Sequence, residues 1–298
     1  MKRMIFIVNP HSGKEQIKRQ LLGILDTFCA AGYIPSVFVT QGPEDAERIV
    51  RGYGEETELL VCSGGDGTLN SVVSGLMGLT KRPRLGYLPA GSTNDFARSL
   101  KIPSDLKEAA AGAVGGETIG LDIGRFGDER YFVYIAAFGA FTEVSYTTPQ
   151  DKKNVLGYQA YLLESVRHLA SLKPRSMRLE WEDGVFEGEF IFGMISNTTS
   201  VGGFKGLAPR DSAFDDGLFE GMFIKMPKAP SDLAGIASCL FFKEEENDHV
   251  IRFKTSRLSV SAKEEIPWVL DGEFGGAVKE TVIVNLKKEL LLAADRNV

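Results

Sequence analysis

The 298-residue sequence is short of the residues that build metal and disulfide scaffolds, with three cysteines and three histidines. Cys29, Cys62 and Cys239 show no C-x-x-C spacing. That excludes a disulfide framework and a cysteine-rich zinc site, and it suits a reducing compartment. His11, His168 and His249 are too scattered to suggest a metal cluster. Positive charge is also scarce: 34 Lys and Arg stand against 40 Asp and Glu, a net charge of −6. A nucleic-acid partner is therefore not expected, since it would require a basic footprint. No stretch reaches the ~18 apolar residues of a membrane span. The apolar run Met4–Val8 stops at Asn9-Pro10, too short for the core of a secretion signal. A cytoplasmic location is expected.

Glycine, by contrast, is abundant. There are 33 in 298 residues, well above the ~7% average, and they cluster at turns. Hydrophobic residues make up 43% and charged residues 25%, as in a soluble globular chain. The length suits about two domains.

The first third alternates strand and helix patterns. Continuous apolar runs at Met4–Val8, Leu59–Cys62 and Leu85–Leu88 read as strands buried on both faces. Ile17, Leu21, Ile24 and Phe28 recur at helical spacing, and helices are expected after Pro43, after the glycine turn at residue 64 and over Asp105–Val114. Such alternation implies an α/β domain with a parallel sheet. From about residue 117 strands follow one another: Ile119–Ile123, Tyr131–Ala137, Met177–Trp181, Val185–Phe192, Leu218–Lys225, Val250–Ser261 and Thr281–Lys287. An Asp183-Gly184 turn is expected within this antiparallel β domain. Two helices interrupt it, over 154–172 and 231–241.

Ligands of a parallel sheet bind outside the carboxyl ends of its strands. Three strand-to-helix turns lie there: Asn9-Pro10-His11-Ser12-Gly13, Gly64-Gly65-Asp66-Gly67-Thr68-Leu69-Asn70 and Gly91-Ser92-Thr93-Asn94-Asp95. Small residues, free backbone N–H groups and helix N-termini favour an anionic ligand. No Walker A pattern occurs, and Asn70 stands where a dinucleotide fingerprint needs its third glycine. Taken locally, Asp66 is a capping or a functional carboxylate, Asp95 a helix cap or a substrate-side group, and Asp271-Gly272-Glu273 a surface turn or part of a site.

The turns together are more specific. GGDGTLN at Gly64–Asn70 resembles the signature of the diacylglycerol kinase catalytic-domain family, which includes bacterial lipid kinases, sphingosine kinases and ceramide kinases. Asn9-Pro10-x-Ser12-Gly13, Gly91–Arg98, Asp215-Asp216-Gly217-Leu218 and Asp271-Gly272-Glu273 match the family's other elements in order. Ser92 departs from the more usual threonine but keeps the hydroxyl.

The resemblance implies an N-terminal domain, residues 1–122, like those of phosphofructokinases and NAD kinases. It also implies an antiparallel β-sandwich over 123–288 that holds the lipid substrate, with the tail from 289 packing back on the first domain. It places ATP on Asn9, Pro10, His11, Ser12, Gly13, Thr40, Gly64, Gly65, Asp66, Gly67, Thr68, Leu69, Asn70 and Thr93. Phosphoryl transfer needs charge neutralisation and a base for the acceptor hydroxyl. Glu273 is the first candidate base and Asp66 the second. Asp66 is alternatively a ligand of catalytic Mg2+, and Asp271 and Asp95 complete the catalytic set. In some bacterial relatives a structural Mg2+ binds near the D-D-G segment; here its ligands would be the Asp216 side chain, the Ala213 and Leu218 carbonyls and, through water, Asp122. The implied activity is ATP-dependent phosphorylation of a lipid hydroxyl, with diacylglycerol the leading acceptor. The alternatives are an NAD kinase-like enzyme and a nucleotide-binding regulator without catalysis. Contact with the inner face of the membrane is expected to be transient and peripheral, through the 154–172 helix and its margin of Lys152, Lys153, Lys173 and Arg175. A homodimer is left open.

Overall fold

The computed structural model describes residues 2–13, 16–139, 173–198, 213–241 and 247–295. The expected 154–172 helix, with Lys152 and Lys153, lies outside the described residues.

The apolar runs become adjacent strands. β1 (Lys2–Val8), β2 (Tyr33–Val39), β3 (Leu59–Gly64) and β4 (Arg84–Pro89) lie in the order β4-β3-β1-β2, and each pair is parallel. α1 (Gln16–Ala30) buries Ile17, Ile24 and Phe28, whose spacing puts them on one helix face. Phe28 meets Phe6 edge to face at 5.3 Å. α2 (Asp45–Tyr53) packs on α3 (Asp66–Met77), and the short α4 (Asp95–Ser99) and α5 (Leu106–Gly115) follow β4. Asp105 caps α5 by accepting from the Lys107 and Glu108 N–H groups at 2.9 and 3.0 Å.

The second part is mainly antiparallel and continues the same sheet. β5 (Glu117–Phe126), β6 (Arg130–Phe132), β7 (Ile135–Gly139), β8 (Arg175–Trp181), β9 (Gly184–Ser196) and β10 (Phe219–Lys225) precede α6 (Pro230–Phe241). β11 (Val250–Thr255), β12 (Arg257–Leu270) and β13 (Glu273–Ala294) complete it. A second core of Phe126, Phe132, Phe138, Phe190, Phe219, Phe223 and Trp268 fills this part. β13 runs for 22 residues and ties both parts together. It pairs with β12 near its start, with β5 along its second half and, at Leu292 opposite Leu85, with β4.

Three local readings change. The expected strand 131–137 breaks at Val133-Tyr134 because those backbone N–H groups, with that of Ile135, turn to the Asp271 carboxylate. The expected strand 250–261 is two strands, since Glu182 accepts from Ser256 N–H (3.2 Å) and from the Thr255 and Ser256 hydroxyls at the corner. The expected Asp183-Gly184 hairpin turn sits one residue earlier, at Glu182-Asp183, with Trp181 opposite Gly184.

Candidate active site

The three glycine-bearing turns meet at the carboxyl edge of β1, β3 and β4. Asn9 N–H donates to the Ser63 carbonyl (2.9 Å), and its side-chain amide donates to Thr68 Oγ1 (2.9 Å). Ala90 N–H and the Tyr87 hydroxyl both donate to the Gly64 carbonyl, at 2.8 and 3.1 Å. Gly13 has φ +56°, and a Cβ there would lie 2.2 Å from the Ala90 carbonyl oxygen. A Cβ on Gly91 would lie 2.6 Å from Gly65 Cα. Neither contact can be relieved by moving a side chain, so these turns pack backbone to backbone and require glycine.

This edge opens into a cavity of about 660 Å³. Among the expected nucleotide residues, Asn9, His11, Ser12, Thr40, Gly65, Gly67, Thr68 and Asn70 line it, together with Glu273. Gly64 and Leu69 lie beneath the surface, and Leu69 packs in the core. Pro10, Gly13, Asp66 and Thr93 do not line the cavity. Gln41, Gly42, Pro43 and Ala46 line it and were not expected. They follow β2, whose carboxyl end belongs to the same parallel edge; that topology was the available signal. Asp45 shapes this loop by accepting from Gln41 and Gly42 N–H at 2.6 and 3.0 Å.

Glu273 crosses to this edge from the β-rich part. A Cβ on Gly67 would lie 3.0 Å from Glu273 Oε1, so the carboxylate rests against the GGDGT turn. Its position follows from a tight hairpin. Leu270 pairs with Glu273, leaving Asp271 (φ +49°) and Gly272 (φ +93°) as the two turn residues. Positive φ at both is the signature of the type I′ turn that an Asp-Gly pair favours.

Asp271 holds this hairpin in place. Its side chain is buried at 3% exposure. One oxygen accepts from Val133 N–H (2.6 Å) and the Asn70 amide (2.7 Å), the other from Tyr134 and Ile135 N–H (3.0 Å each). Burial pushes its pKa above the ordinary carboxylate range despite these donors. Asp271 thus joins β7 to the α3 turn through Asn70 and sits behind Glu273. Asp271→Ala would strand several buried donors, each costing ~1–3 kcal/mol. A loss of about 3 kcal/mol or more in urea unfolding is expected; an unchanged midpoint would remove Asp271 from this role.

Asp66 begins α3 and faces α4. Its Oδ2 accepts from Asp95 N–H at 3.3 Å, while its Oδ1 is buried without a partner. Burial, then the negative charge of Asp95 and more weakly that of Asp271, push its pKa up to about 6. An orphaned carboxylate oxygen beside other carboxylates is a suitable hard donor for a divalent cation carrying phosphate oxygens and waters. Among the described residues no three His, Cys, Asp or Glu side chains form a cage for a metal ion by themselves.

Backbone N–H groups and two lysines surround the expected structural-metal residues. Asp122 is buried, and its two oxygens accept from Gly217 N–H (2.7 Å) and Lys288 N–H (2.9 Å). Asp216 Oδ1 accepts from Leu218 N–H at 2.9 Å, and the Asp216 carbonyl accepts from Lys287 Nζ at 3.0 Å. Lys288 Nζ lies 3.5 Å from Asp215. Ala213 directly precedes Phe214, whose carbonyl accepts from Asp122 N–H at 2.6 Å.

A strand-and-helix half whose glycine turns face a carboxylate from a β-rich half is the architecture of a catalytic domain joined to an NAD kinase-like β-sandwich. Residues 3–126 match the model of the diacylglycerol kinase catalytic domain, and residues 138–290 match that of the YegS C-terminal NAD kinase beta sandwich-like domain. The diacylglycerol kinase of Bacillus subtilis (strain 168) is 39% identical over 279 residues, covering 93% of this chain and 91% of the relative. That of Staphylococcus epidermidis is 36% identical over 300 residues, covering 100% and 93%. The chain belongs to the diacylglycerol kinase family. A crystal structure of a diacylglycerol kinase from Bacillus anthracis str. Sterne superposes with a TM-score of 0.77 at 20% identity, over 99% of this chain and 97% of that one. A second structure from that organism reaches 0.83 at 24% identity, covering 99% and 95%. These likenesses concern the fold.

Proposed function

We propose that the protein is an ATP-dependent lipid kinase that phosphorylates the free hydroxyl of diacylglycerol to give phosphatidic acid. The observation that carries this reading is the Glu273 carboxylate set against Gly67, at the mouth of a cavity walled by backbone-rich glycine turns. Residues 1–122 hold the nucleotide on a frame like that of phosphofructokinases and NAD kinases, and residues 123–288 hold the lipid. N–H groups of the Asn9–Gly13 and Gly64–Asn70 turns take the phosphates, as unpaired N–H groups at helix starts favour anions. Glu273 removes the proton from the acceptor hydroxyl as that oxygen bonds to the γ-phosphorus. The bond from phosphorus to the β,γ-bridging oxygen breaks, and ADP leaves.

Mg2+ bound with ATP would be held on the protein side by Asp66 Oδ1 and would neutralise phosphate charge. The negative charge of Asp95 and, more weakly, of Asp271 raises the Asp66 pKa, a repulsion that a bound cation would relieve. The acceptor comes from a membrane that the protein touches at its surface; no helix among the described residues is long and apolar enough to cross one.

The test offers labelled ATP and Mg2+ to the purified protein with dioctanoylglycerol micelles, with sphingosine and with NAD. Label is expected in phosphatidic acid. Label in NADP alone would replace this reading with that of an NAD kinase, and label in neither class of acceptor would favour the regulator.

A further inference from the structure

Asp45 opens α2 and does not itself line the cavity, yet its carboxylate sets the shape of one cavity wall. Its Oδ2 accepts from Gln41 N–H at 2.6 Å and from Gly42 N–H at 3.0 Å, and Asp45 N–H donates back to the Gly42 carbonyl at 3.3 Å. Arg48 donates to Oδ1. These donors, Gln41 N–H first, hold the Asp45 pKa below the ordinary carboxylate range. The start of the loop is fixed as well. Thr40 N–H donates to the Val8 carbonyl at 2.9 Å, and the Gln41 side-chain amide donates to the Val39 carbonyl at 3.3 Å. Residues 41–43 are exposed, but these bonds at both ends leave them one place beside the β1 turn.

The order of the strands shows what this wall faces. β3, β1 and β2 are neighbours in that order, so the turns that follow them lie side by side: residues 65–68, then 9–12, then 40–43. Glu273 rests against Gly67, at the β3 end of this series. The β2 loop lies about two strand spacings away, ~10 Å. No described residue of the β4 turn lines the cavity. With the γ-phosphoryl group at Glu273, the phosphates therefore run over the β1 turn toward β2. The lining residues there, Gln41, Gly42, Pro43 and Ala46, carry no charge. They offer one carboxamide beside the apolar surface of Pro43 and Ala46. A mainly apolar wall with a single placed polar group suits a base and sugar rather than a phosphate.

We propose that Asp45 is a positioning residue that holds the 41–43 loop in the shape that receives the nucleoside of ATP. This rests on the ATP-dependent kinase reading above, which sets the γ-phosphoryl group at Glu273. Asp45 acts through the loop backbone. It touches neither the phosphates nor the acceptor, so its contribution belongs to the base and sugar alone.

The test measures calorimetric binding of Mg-ATP, and of Mg-tripolyphosphate, which has no nucleoside, to wild type, Asp45→Ala and Asp45→Asn. Asp45→Ala is expected to bind ATP about tenfold more weakly, the scale of a binding loop that must now be ordered by its ligand. Its affinity for tripolyphosphate should stay at the wild-type value. Asparagine keeps an oxygen that accepts from both N–H groups, so Asp45→Asn should recover most of the ATP affinity. In turnover, Asp45→Ala should raise the KM for ATP and leave kcat and the KM for dioctanoylglycerol near wild type. Unchanged ATP binding in Asp45→Ala would overturn the role of Asp45. Equal losses for ATP and tripolyphosphate in both variants would also overturn it, marking Asp45 as support for the cavity as a whole. If wild type binds ATP but phosphorylates no lipid, the lipid kinase reading falls and the binding comparison still decides the role of Asp45. A wild type that binds no ATP would overturn both.

Discussion

Replacing Glu273 by glutamine is expected to slow lipid phosphorylation by about 100- to 10,000-fold, the usual contribution of a general base, while nucleotide affinity changes little. Glutamine keeps the size and hydrogen-bonding reach of the side chain but has no site for the transferred proton. The fold should tolerate the change, because Glu273 is exposed on the first residue of β13 and its hairpin is held by Asp271 rather than by its own carboxylate. Steady-state kinetics separate these effects: kcat falls and the KM for ATP stays. A loss under about tenfold at every pH would move the role of base to Asp66.

Asp66→Asn is expected to be the second severe lesion, and here activity and stability should move in opposite directions. Removing a preorganised group that manages charge in phosphoryl transfer costs on the order of 100- to 1,000-fold. The stability effect follows from linkage. Asp66 has a pKa of about 6 in the fold, against ~3.9 in an unfolded chain. Its protonated form suits the unliganded fold. That contribution is complete below the unfolded pKa and is lost as pH rises through about 6, where the fold must keep a charge beside Asp95. Asparagine resembles the neutral acid at every pH. In the absence of nucleotide, Asp66→Asn should match wild type near pH 4 and be the more stable protein at pH 7. Thermal melts across that range, without and with Mg-ATP, measure it. A variant less stable than wild type at pH 7 would show that Asp66 holds the fold together.

The nucleotide half was largely legible from local pattern. Three of its four strands are apolar runs buried on both faces, its helices carry apolar residues at 3.6 spacing, and its turns contain glycines that meet backbone to backbone. What escaped was non-local. Asp271 and Gly272 look like an ordinary turn in sequence, yet the carboxylate grips Asn70, 201 positions away, and three N–H groups of a stretch that itself reads as one strand. No local signal marks Val133-Tyr134 as the point where that strand must bend. Gln41–Pro43 carried no local sign of a site because its neighbours across the cavity come from other strands. The link between the D-D-G segment and Asp122 was likewise non-local, since Gly217 N–H donates to a carboxylate 95 positions away.

The central claim is that Asp66 from one half and Glu273 from the other act as a single centre on a lipid hydroxyl. The most direct measurement is incorporation of γ-phosphoryl label from ATP into phosphatidic acid by wild type, Asp66→Asn, Glu273→Gln and the double variant. Groups that act as one unit are far from additive. The wild type should label phosphatidic acid, each single change should nearly stop it, and the double variant should be no more than a few-fold slower than the worse single variant. Losses that multiply, or a wild type that labels no phosphatidic acid, would contradict a shared centre for lipid phosphorylation.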